Sequence, residues 1–586
     1  MLGTGRGVSG SAFFIGGMNS APPPMFLDDR SYRRAENVVH RGGVLSTRPG
    51  FAEVFSLPAG QLQGLTYFRP LGGEGQLVFA VEGKLYHSEY PFRTYAQIPG
   101  VQLYAHAERV WFSSPVRSAS RNADGTISVI SPARTLVAQD GGYTRAAYWS
   151  PDGSGHIDPT VVSDSDGNVL TAGTPLGGPI AWSGDRLWVA RGNLVMASDI
   201  SDPLSFTESE YLAEGGYFLF DEDVVALADV PSTDSPMLFV FTKSRTYRLL
   251  SGIRDRSTWK STQNFQTVVF PDVGASSQRG VITKNGLLWW MSSVGLVSYN
   301  SATASRISSK LVPADNAMRV SKDNTDQNLS RVALGHFENY LLCSVPSGDK
   351  FNAHTWVYDM NVSTEDDKNS NEGWSSVWTG PRPVEWAYGI FNDAPGLYCV
   401  SKGLDGSNTL LRAFDRSQQD AGEDIPCLVE TKLHLDFSKE ATGLDRKRFV
   451  FAEQTLQDIR GAVDLKVYYR GNRGKYKLLG EWNLESTVGS PEAGVSSSEL
   501  ETYQAQRRVI RTPSTTESPE TCTTCGVEST RHDFIDVGFS LLVTWTGKAS
   551  LQSYRIFADP VEEAAVGEAP FTETGPRILS SEVCTA

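Results

Sequence analysis

Three stretches of this chain hold residue types at spacings that could do chemistry. In SDSDGNV (163–169), Asp164, Asp166 and Asn168 alternate as oxygen ligands do in a calcium loop. A complete EF-hand loop carries glycine at its sixth position and a bidentate glutamate at its twelfth. Counted from Asp164, Gly167 stands fourth and Pro175 twelfth, so the stretch reads as a hairpin turn and not as a metal site. Cys522 and Cys525 have the spacing of a zinc knuckle or a redox pair, with His532 downstream and Cys584 distant. A redox pair belongs near a βαβ unit, and this is a Thr-rich loop. Zinc requires four ligands in tetrahedral geometry, and a third and fourth do not stand out. Inert thiols are the expectation, with a loop disulfide and a zinc site left open. GTGRGVSG (3–10) has glycines near phosphate-loop spacing but no preceding strand and no Lys-Ser/Thr, so a disordered arm is expected there.

Carboxylates are many, among them Asp221, Glu222 and Asp223, and Glu385 beside Trp386. A glycosidase needs two of them at a set separation across a cleft. For any one of them, solvated loop charge is the expectation. The chain has eight histidines and shows neither a G-x-S-x-G nor an H-E-x-x-H stretch. No nucleophile or zinc-hydrolase signature stands out, and no catalytic residue, metal or cofactor is singled out from the residues.

The elements that carry these residues read as β throughout. The 586 residues suffice for two to four domains, or for one large repeat domain and a smaller one. Apolar residues at 40% and charged residues at 20% mark a globular chain. The 55 Gly, 30 Pro, 13 Trp and 21 Tyr suit short strands joined by turns. A net charge of −14 argues against a chain that clings to DNA or anionic lipid through bulk charge. No apolar run approaches the roughly 20 residues of a spanning helix, and no secretory signal is evident, so no membrane anchor and synthesis in a reducing cytoplasm are expected. Cys343, Cys399 and Cys427 sit in strand-like apolar runs and read as small buried hydrophobes.

Hairpins recur, with turns expected at Glu82-Gly83, Asp124-Gly125, Gly192-Asn193 and Asn285-Gly286. A loose strand-turn-strand unit starts near Leu65, Val110, Ile180, Met237, Val281, Ala333 and Val384. Its spacing is close to the 40–50 residues of a propeller blade. A β-propeller of about six to seven blades is expected over 61–420, with a pair of β-sandwiches as the alternative. The rhythm changes after EDIPCLVETKLHLDF (423–437). An antiparallel, sandwich-like β-domain is expected over 421–560, with Phe539, Leu541, Val543 and Trp545 on one face. It is interrupted by a Ser/Thr-rich loop (486–530), and an acidic tail follows at 561–586.

Residues 1–60 remain. GGMNSAPPPMFLDDRSYRRAENVVHRGGVLSTRPGF resembles the start of bacteriophage tail-hub proteins, the packaged-DNA stabilisation or tail-nozzle proteins of short-tailed phages. Asn37, Gly43, Leu45, Arg48, Pro49, Gly50 and Phe51 occupy the places of that family's opening pattern. Later stretches are also similar to it: RLWVARGNLVMASDISDPLSF (186–206), GLLWWMSSVGLVSYN (286–300), HTWVYDMN with GWSSVW (354–378), and CLVETKLHLDF (427–437). The loop 486–530 and the tail after Pro560 depart from the pattern.

The resemblance implies a non-enzymatic virion protein of the phage tail, assembled in the host cytoplasm. It would form a ring, usually a hexamer, below the portal and adaptor, and meet tail fibre or tail needle proteins. Phage genomic DNA would be retained by the ring and would pass through its lumen without sequence-specific binding. A wall with no net positive charge suits sliding, and charge acts on DNA only within about 8–10 Å at physiological salt. On this reading residues 1–60 are an extended docking arm, and Arg33, Arg34, Arg41, Arg48, Pro49 and Phe51 are its candidate interface with a neighbour or the adaptor. The alternative for the segment is that it closes the propeller or covers an edge strand. The alternative for the whole chain is a carbohydrate-binding or carbohydrate-cleaving propeller, which would set Trp289, Trp290 or Trp386 beside carboxylates in one cleft.

Overall fold

The computed structural model describes residues 7–11, 14, 17–27, 31–41, 43–122, 124, 126–150, 155–157, 162–163, 169–171, 173–206, 217–231, 236–284, 286–300, 304–310, 318, 325–346, 351–360, 373–435, 446–472, 475–485, 508–512 and 535–560. The candidate calcium loop at Asp164, Asp166 and Asn168, the Cys522/Cys525 loop and the acidic tail lie outside them. The chain divides into two units. One comprises residues 49–371 and 378–423, the other residues 1–48, 372–377 and 424–586.

The first unit is a β-propeller. Runs of β-branched and aromatic residues end at turns that the chain makes with Gly, Asn, Asp and Glu. At Glu82-Gly83 both residues take positive φ (49° and 74°), the geometry of the tightest hairpins. The first blade is Leu62–Phe68, Gln76–Val81, Lys84–Glu89 and Ala96–Gln102, antiparallel in that order. Four further four-stranded sheets begin at Trp111–Ser113, Ile180–Ser183, Ala226–Val230 and Val281–Lys284. The last blade begins at Pro383–Phe391. Between it and the fifth stands a unit that begins with Ala333–Phe337, Tyr340–Val345 and His354–Asp359. The seven strands that open these units each pack on the next, and Pro383–Phe391 packs on Leu62–Phe68, so the ring closes.

The last blade is built from both ends of the unit. Gly50–Ser56 adds antiparallel to Asn408–Asp415, so the earliest strand of the propeller completes its final sheet. A Cβ at Gly50 would stand 1.9 Å from the Gln419 carbonyl oxygen, and that crowding is why glycine precedes Phe51. Apolar layers fill the gaps between blades. Leu65, Leu77 and Phe79 of the first blade pack against Ala387, Tyr398, Val400 and Leu410 of the last. Each such large side chain contributes about 1.5–3 kcal/mol on burial. The second blade carries an extra hairpin, Val116–Arg121 with Ile127–Arg134.

The second unit is a sandwich-like β-domain organised by two long strands, Lys447–Gly471 and Phe539–Pro560, paired antiparallel. Both bend midway. Gly547 has φ +101° with its α-carbon against the Ala462 carbonyl, and Asp458 and Gly461 also take positive φ. Strands that turn a corner this way serve two sheets. Before the bend, the stretch from Phe539 lies between Pro426–Glu430 and the second half of Lys447–Gly471. Past it, the strand pairs with the first half, with Gly7–Ser11 and with Leu45-Ser46. Phe539, Leu541, Val543 and Trp545 are all buried, as their alternation requires.

Two expectations are corrected here. The described residues between 7 and 48 do not form a free-standing docking arm. Gly7–Ser11 is a strand on Tyr554–Ala558, Arg34–Glu36 pairs with Leu428–Glu430, and Val38–Arg41 forms a hairpin with Val44–Thr47. Nor is the stretch from Gly7 a disordered arm. A long strand with an open edge is a liability that covering segments remove, and the early chain does this here. The propeller proper then begins at residue 49 and ends at 423.

Candidate functional site

One carboxylate gathers groups from four propeller units. Glu385 lies in the opening strand of the last blade, Pro383–Phe391, and is buried. Its Oε1 lies 2.6 Å from Arg109 Nη2, just ahead of the second blade's opening strand. Its Oε2 accepts from the Leu65 backbone N–H of the first blade at 3.1 Å and faces Arg279 Nε at 3.4 Å. Arg279 stands just ahead of the fifth blade's opening strand, and its Nη2 also donates to the Gln63 carbonyl at 3.3 Å. Side chains from blades this far apart around the ring meet only where the opening strands converge. The cluster therefore sits on the propeller axis.

The electrostatics there are uneven. Two guanidiniums share one carboxylate, which leaves an excess positive charge. Burial pulls Arg109 down to about 10, Glu385 works against that pull, and Arg279 adds to it. Arg109 therefore stays charged at neutral pH. Arg109 Nε and Nη1 are buried with no hydrogen-bond partner among the described residues. Gln63, fully buried, ties the same region together: its Nε2 donates to the carbonyls of Tyr104 and Ala107, each at 2.9 Å, and its Oε1 accepts from Gly83 N–H at 2.6 Å. A carboxylate held by two arginines and a backbone N–H is built as a clamp. Its lone pairs are directed at fixed donors, which is poor preparation for nucleophilic or acid-base work.

The other residues singled out in the sequence are not brought to this cluster. Asp221 pairs with Arg245, and its Oδ2 accepts from the Tyr247 hydroxyl at 3.3 Å. Glu222 accepts from Ser244 Oγ at 2.6 Å and from its backbone N–H at 3.1 Å, and the Ser244 hydroxyl is the main reason its carboxyl is held below the usual range. Trp290 is fully buried and donates to the Gly274 carbonyl at 3.1 Å. Trp386 is buried and donates to Ser344 Oγ at 3.1 Å, and Trp289 is buried as well. These indoles are core, and they offer no open stacking platform. Among the described residues no group of three or more His, Cys, Asp or Glu could hold a metal ion. Among them, too, no helix is long and apolar enough to cross a membrane.

The expected docking residues separate into those inside the fold and those on its surface. Arg48 is fully buried, and its Nε donates to Asn37 Oδ1 at 3.0 Å. Phe51 is 2% exposed, edge-on to Trp378 at 6.1 Å and tilted to Trp386 at 6.3 Å. Neither is available to a partner, which corrects the docking role expected of them. A buried guanidinium needs an internal acceptor and a buried ring needs close packing, and both have them. Pro49, between them, is partly buried. Arg33 shares Glu430 with Arg470, at 3.0 and 3.2 Å. Arg34 pairs with Glu36 and keeps 59% of its side chain exposed. Arg41 ends the strand Val38–Arg41, and its side chain lies outside the described residues. Arg109 and Arg279 were not singled out, because nothing local marks either one.

No known family model matches the chain, and no curated protein matches it. Solved structures do. The chain is similar to the Dos1 propeller at 11% identity over 63% of this chain and 95% of that one, with a TM-score of 0.34. A catalytically inactive virginiamycin B lyase from Staphylococcus aureus, in complex with quinupristin, matches at 10% identity over 62% of this chain and 98% of that one, TM-score 0.31. YCF48 from Cyanidioschyzon merolae matches at 10% identity with the same coverages, TM-score 0.32.

Proposed function

We propose that this chain is a structural protein of a phage tail, a ring-forming hub or nozzle that continues the portal-adaptor channel, helps retain packaged DNA and conducts it at ejection. The observation that carries the reading is the order of family-like stretches from Asn37 to Phe437 and the place where the first of them falls. Its Asn37 and Arg48 are joined by a buried hydrogen bond, and Pro49-Gly50-Phe51 follows where the chain leaves one unit and starts the strand that completes the other. Such a step is a demand of architecture, and it does not bear on catalysis. Burial of Trp289, Trp290 and Trp386, and the clamped state of Glu385, favour a structural role over a glycan cleft.

Light scattering on the purified protein, alone and with capsids bearing the cognate adaptor, tests the reading. A ring of about six copies, free or on capsids, with no response to cell-wall glycans is the expected result. A monomer that ignores such capsids and binds or cleaves glycan overturns it.

A further inference from the structure

Two tyrosines stand exposed on the propeller, and a buried carboxylate holds them there. Tyr104 lies between the first blade's last strand and Trp111–Ser113, and Tyr143 lies between Leu136–Gln139 and Ala147–Trp149 of the second blade. They are 40% and 67% exposed, and their rings stack with centroids 4.5 Å apart. Asp140, 1% exposed, accepts from the backbone N–H groups of Tyr104, Tyr143 and Thr144 at 2.9, 3.1 and 3.0 Å, and from Thr144 Oγ1 at 2.6 Å. Gly141 and Gly142 both take positive φ in the turn that leads from Asp140 to Tyr143. His106 stands edge-on to Tyr104 at 5.7 Å and lengthens the row to three rings. Tyrosines on a backbone fixed in this way lose little entropy on binding, and tyrosine is among the commonest anchors of protein contacts.

The β-domain carries a projection of matching chemistry. Pro22 and Pro23 lead into one 3₁₀ turn, Pro24–Phe26. Pro23 is exposed, and its φ of −52° and ψ of 144° are close to polyproline II. Phe26 is 73% exposed. The segment is pinned from behind: the Pro24 carbonyl accepts from Leu433 N–H at 3.1 Å, the Leu27 carbonyl accepts from Lys432 Nζ at 3.1 Å, and Leu27 is buried. Proline segments in this conformation dock on aromatic surfaces.

We infer that the Tyr104 and Tyr143 rings receive residues 22–26 of a second copy of this chain. The inference rests on the ring-forming reading and names a contact for it. The two surfaces differ, so the contact is head-to-tail, the kind that closes into a ring. Charges of both signs border each surface and can be matched across it. Glu108 and Arg145, both exposed, follow the tyrosines in the same two loops, while Lys432 holds the proline segment and Asp28-Asp29 come next in sequence. Such rim charges set register and encounter rate more than affinity.

The test uses full chains with photoreactive benzoylphenylalanine in place of Tyr143. They are mixed with isotope-labelled wild-type chains, alone and with adaptor-bearing capsids, then irradiated and digested for peptide mass spectrometry. Cross-links from position 143 into residues 21–27 of the labelled chain are expected. Phe26→Ser and Tyr104→Ala, checked by circular dichroism, should each weaken self-association by about tenfold or more in light scattering. Should Tyr104→Ala not fold, Phe26→Ser, an exposed change, carries that arm alone. Assembled chains whose cross-links fall within one chain or elsewhere, or whose association is unchanged in folded Phe26→Ser, overturn this contact and leave the ring reading standing. Wild-type chains that stay single with and without capsids overturn both.

Discussion

Arg109 Nη2 lies 2.6 Å from Glu385 Oε1, so the second blade and the last are joined through side chains that are 276 residues apart in sequence. Both side chains are mostly buried, 15% and 9% exposed. Removing one partner of a buried pair leaves the other charge unmatched, which costs about 3–5 kcal/mol. Glu385→Ala should lose that much, because it strands two guanidiniums at once. Replacing the pair by apolar residues of similar volume avoids the stranded charge at Arg109. Arg109→Met with Glu385→Leu should therefore be more stable than Glu385→Ala alone. Urea unfolding followed by tryptophan fluorescence ranks the three proteins.

His336 gives the propeller a dependence on acid. It is buried against the Tyr388 ring, with centroids 4.5 Å apart, and its Nδ1 has no hydrogen-bond partner among the described residues. Burial first, and then Lys284, push its pKa down to about 4. The unfolded chain binds this proton near pH 6.5, so between about pH 6.5 and 4 the unfolded state holds more protons than the folded one. Stability from this group is fully present above the unfolded value and is lost as pH falls toward 4. The loss amounts to at most about 3 kcal/mol. His336→Phe should flatten that part of the curve of unfolding free energy against pH, and an unchanged slope in the variant would place the acid sensitivity elsewhere.

Local pattern made much of the propeller legible. The expected unit starts at Val110, Ile180, Val281, Ala333 and Val384 fall within a residue of the strands that open their units, and Leu65 falls inside Leu62–Phe68. Met237 instead begins the second strand of the fourth blade. The opening strand there is Ala226–Val230, ALADV, whose small residues and Asp229 are a weaker apolar signal than MLFVF at Met237–Phe241. Long-range pairings were not legible. Gly50–Ser56 joins a strand more than 350 residues later, and neither composition nor period points to it. The axial clamp is hidden for the same reason. Arg109 and Arg279 sit before unremarkable strand starts, and only closure of the ring brings them to Glu385.

The early chain provides the next test. Phe14 is fully buried, stacked on Tyr554 at 5.7 Å and edge-on to Tyr32 at 6.0 Å, and the Tyr32 hydroxyl donates to the Ser375 carbonyl at 2.6 Å. Deleting residues 1–34 removes these contacts and uncovers the edge at Tyr554–Ala558. The expected product is a protein whose β-domain is rapidly cut by protease and which self-associates, with the propeller intact. A truncated chain with wild-type protease resistance would show that the segment is dispensable packing. Phe51→Ala acts on the other unit and should cost about 3–5 kcal/mol, the range for large aromatic deletions in a core.

The buried cysteines separate the two units experimentally. Cys343 and Cys399 are fully buried in the propeller, and Cys427 is 2% exposed in the β-domain, where its thiol donates to the Asn37 carbonyl at 3.2 Å. Burial pushes the thiols of Cys343 and Cys399 upward, away from the reactive thiolate. None of the three should react with maleimide in the native protein at neutral pH, and all three should react in denaturant. Labelling rates resolved by peptide mass spectrometry then report local opening. Cys399 is the register partner of Trp386, the residue after Glu385. Glu385→Ala should therefore accelerate labelling at Cys399 and leave Cys427 slow. Equal acceleration at both sites would mean that the clamp supports the β-domain as well as the ring, and that the loss of Glu385 loosens the whole chain as one cooperative body.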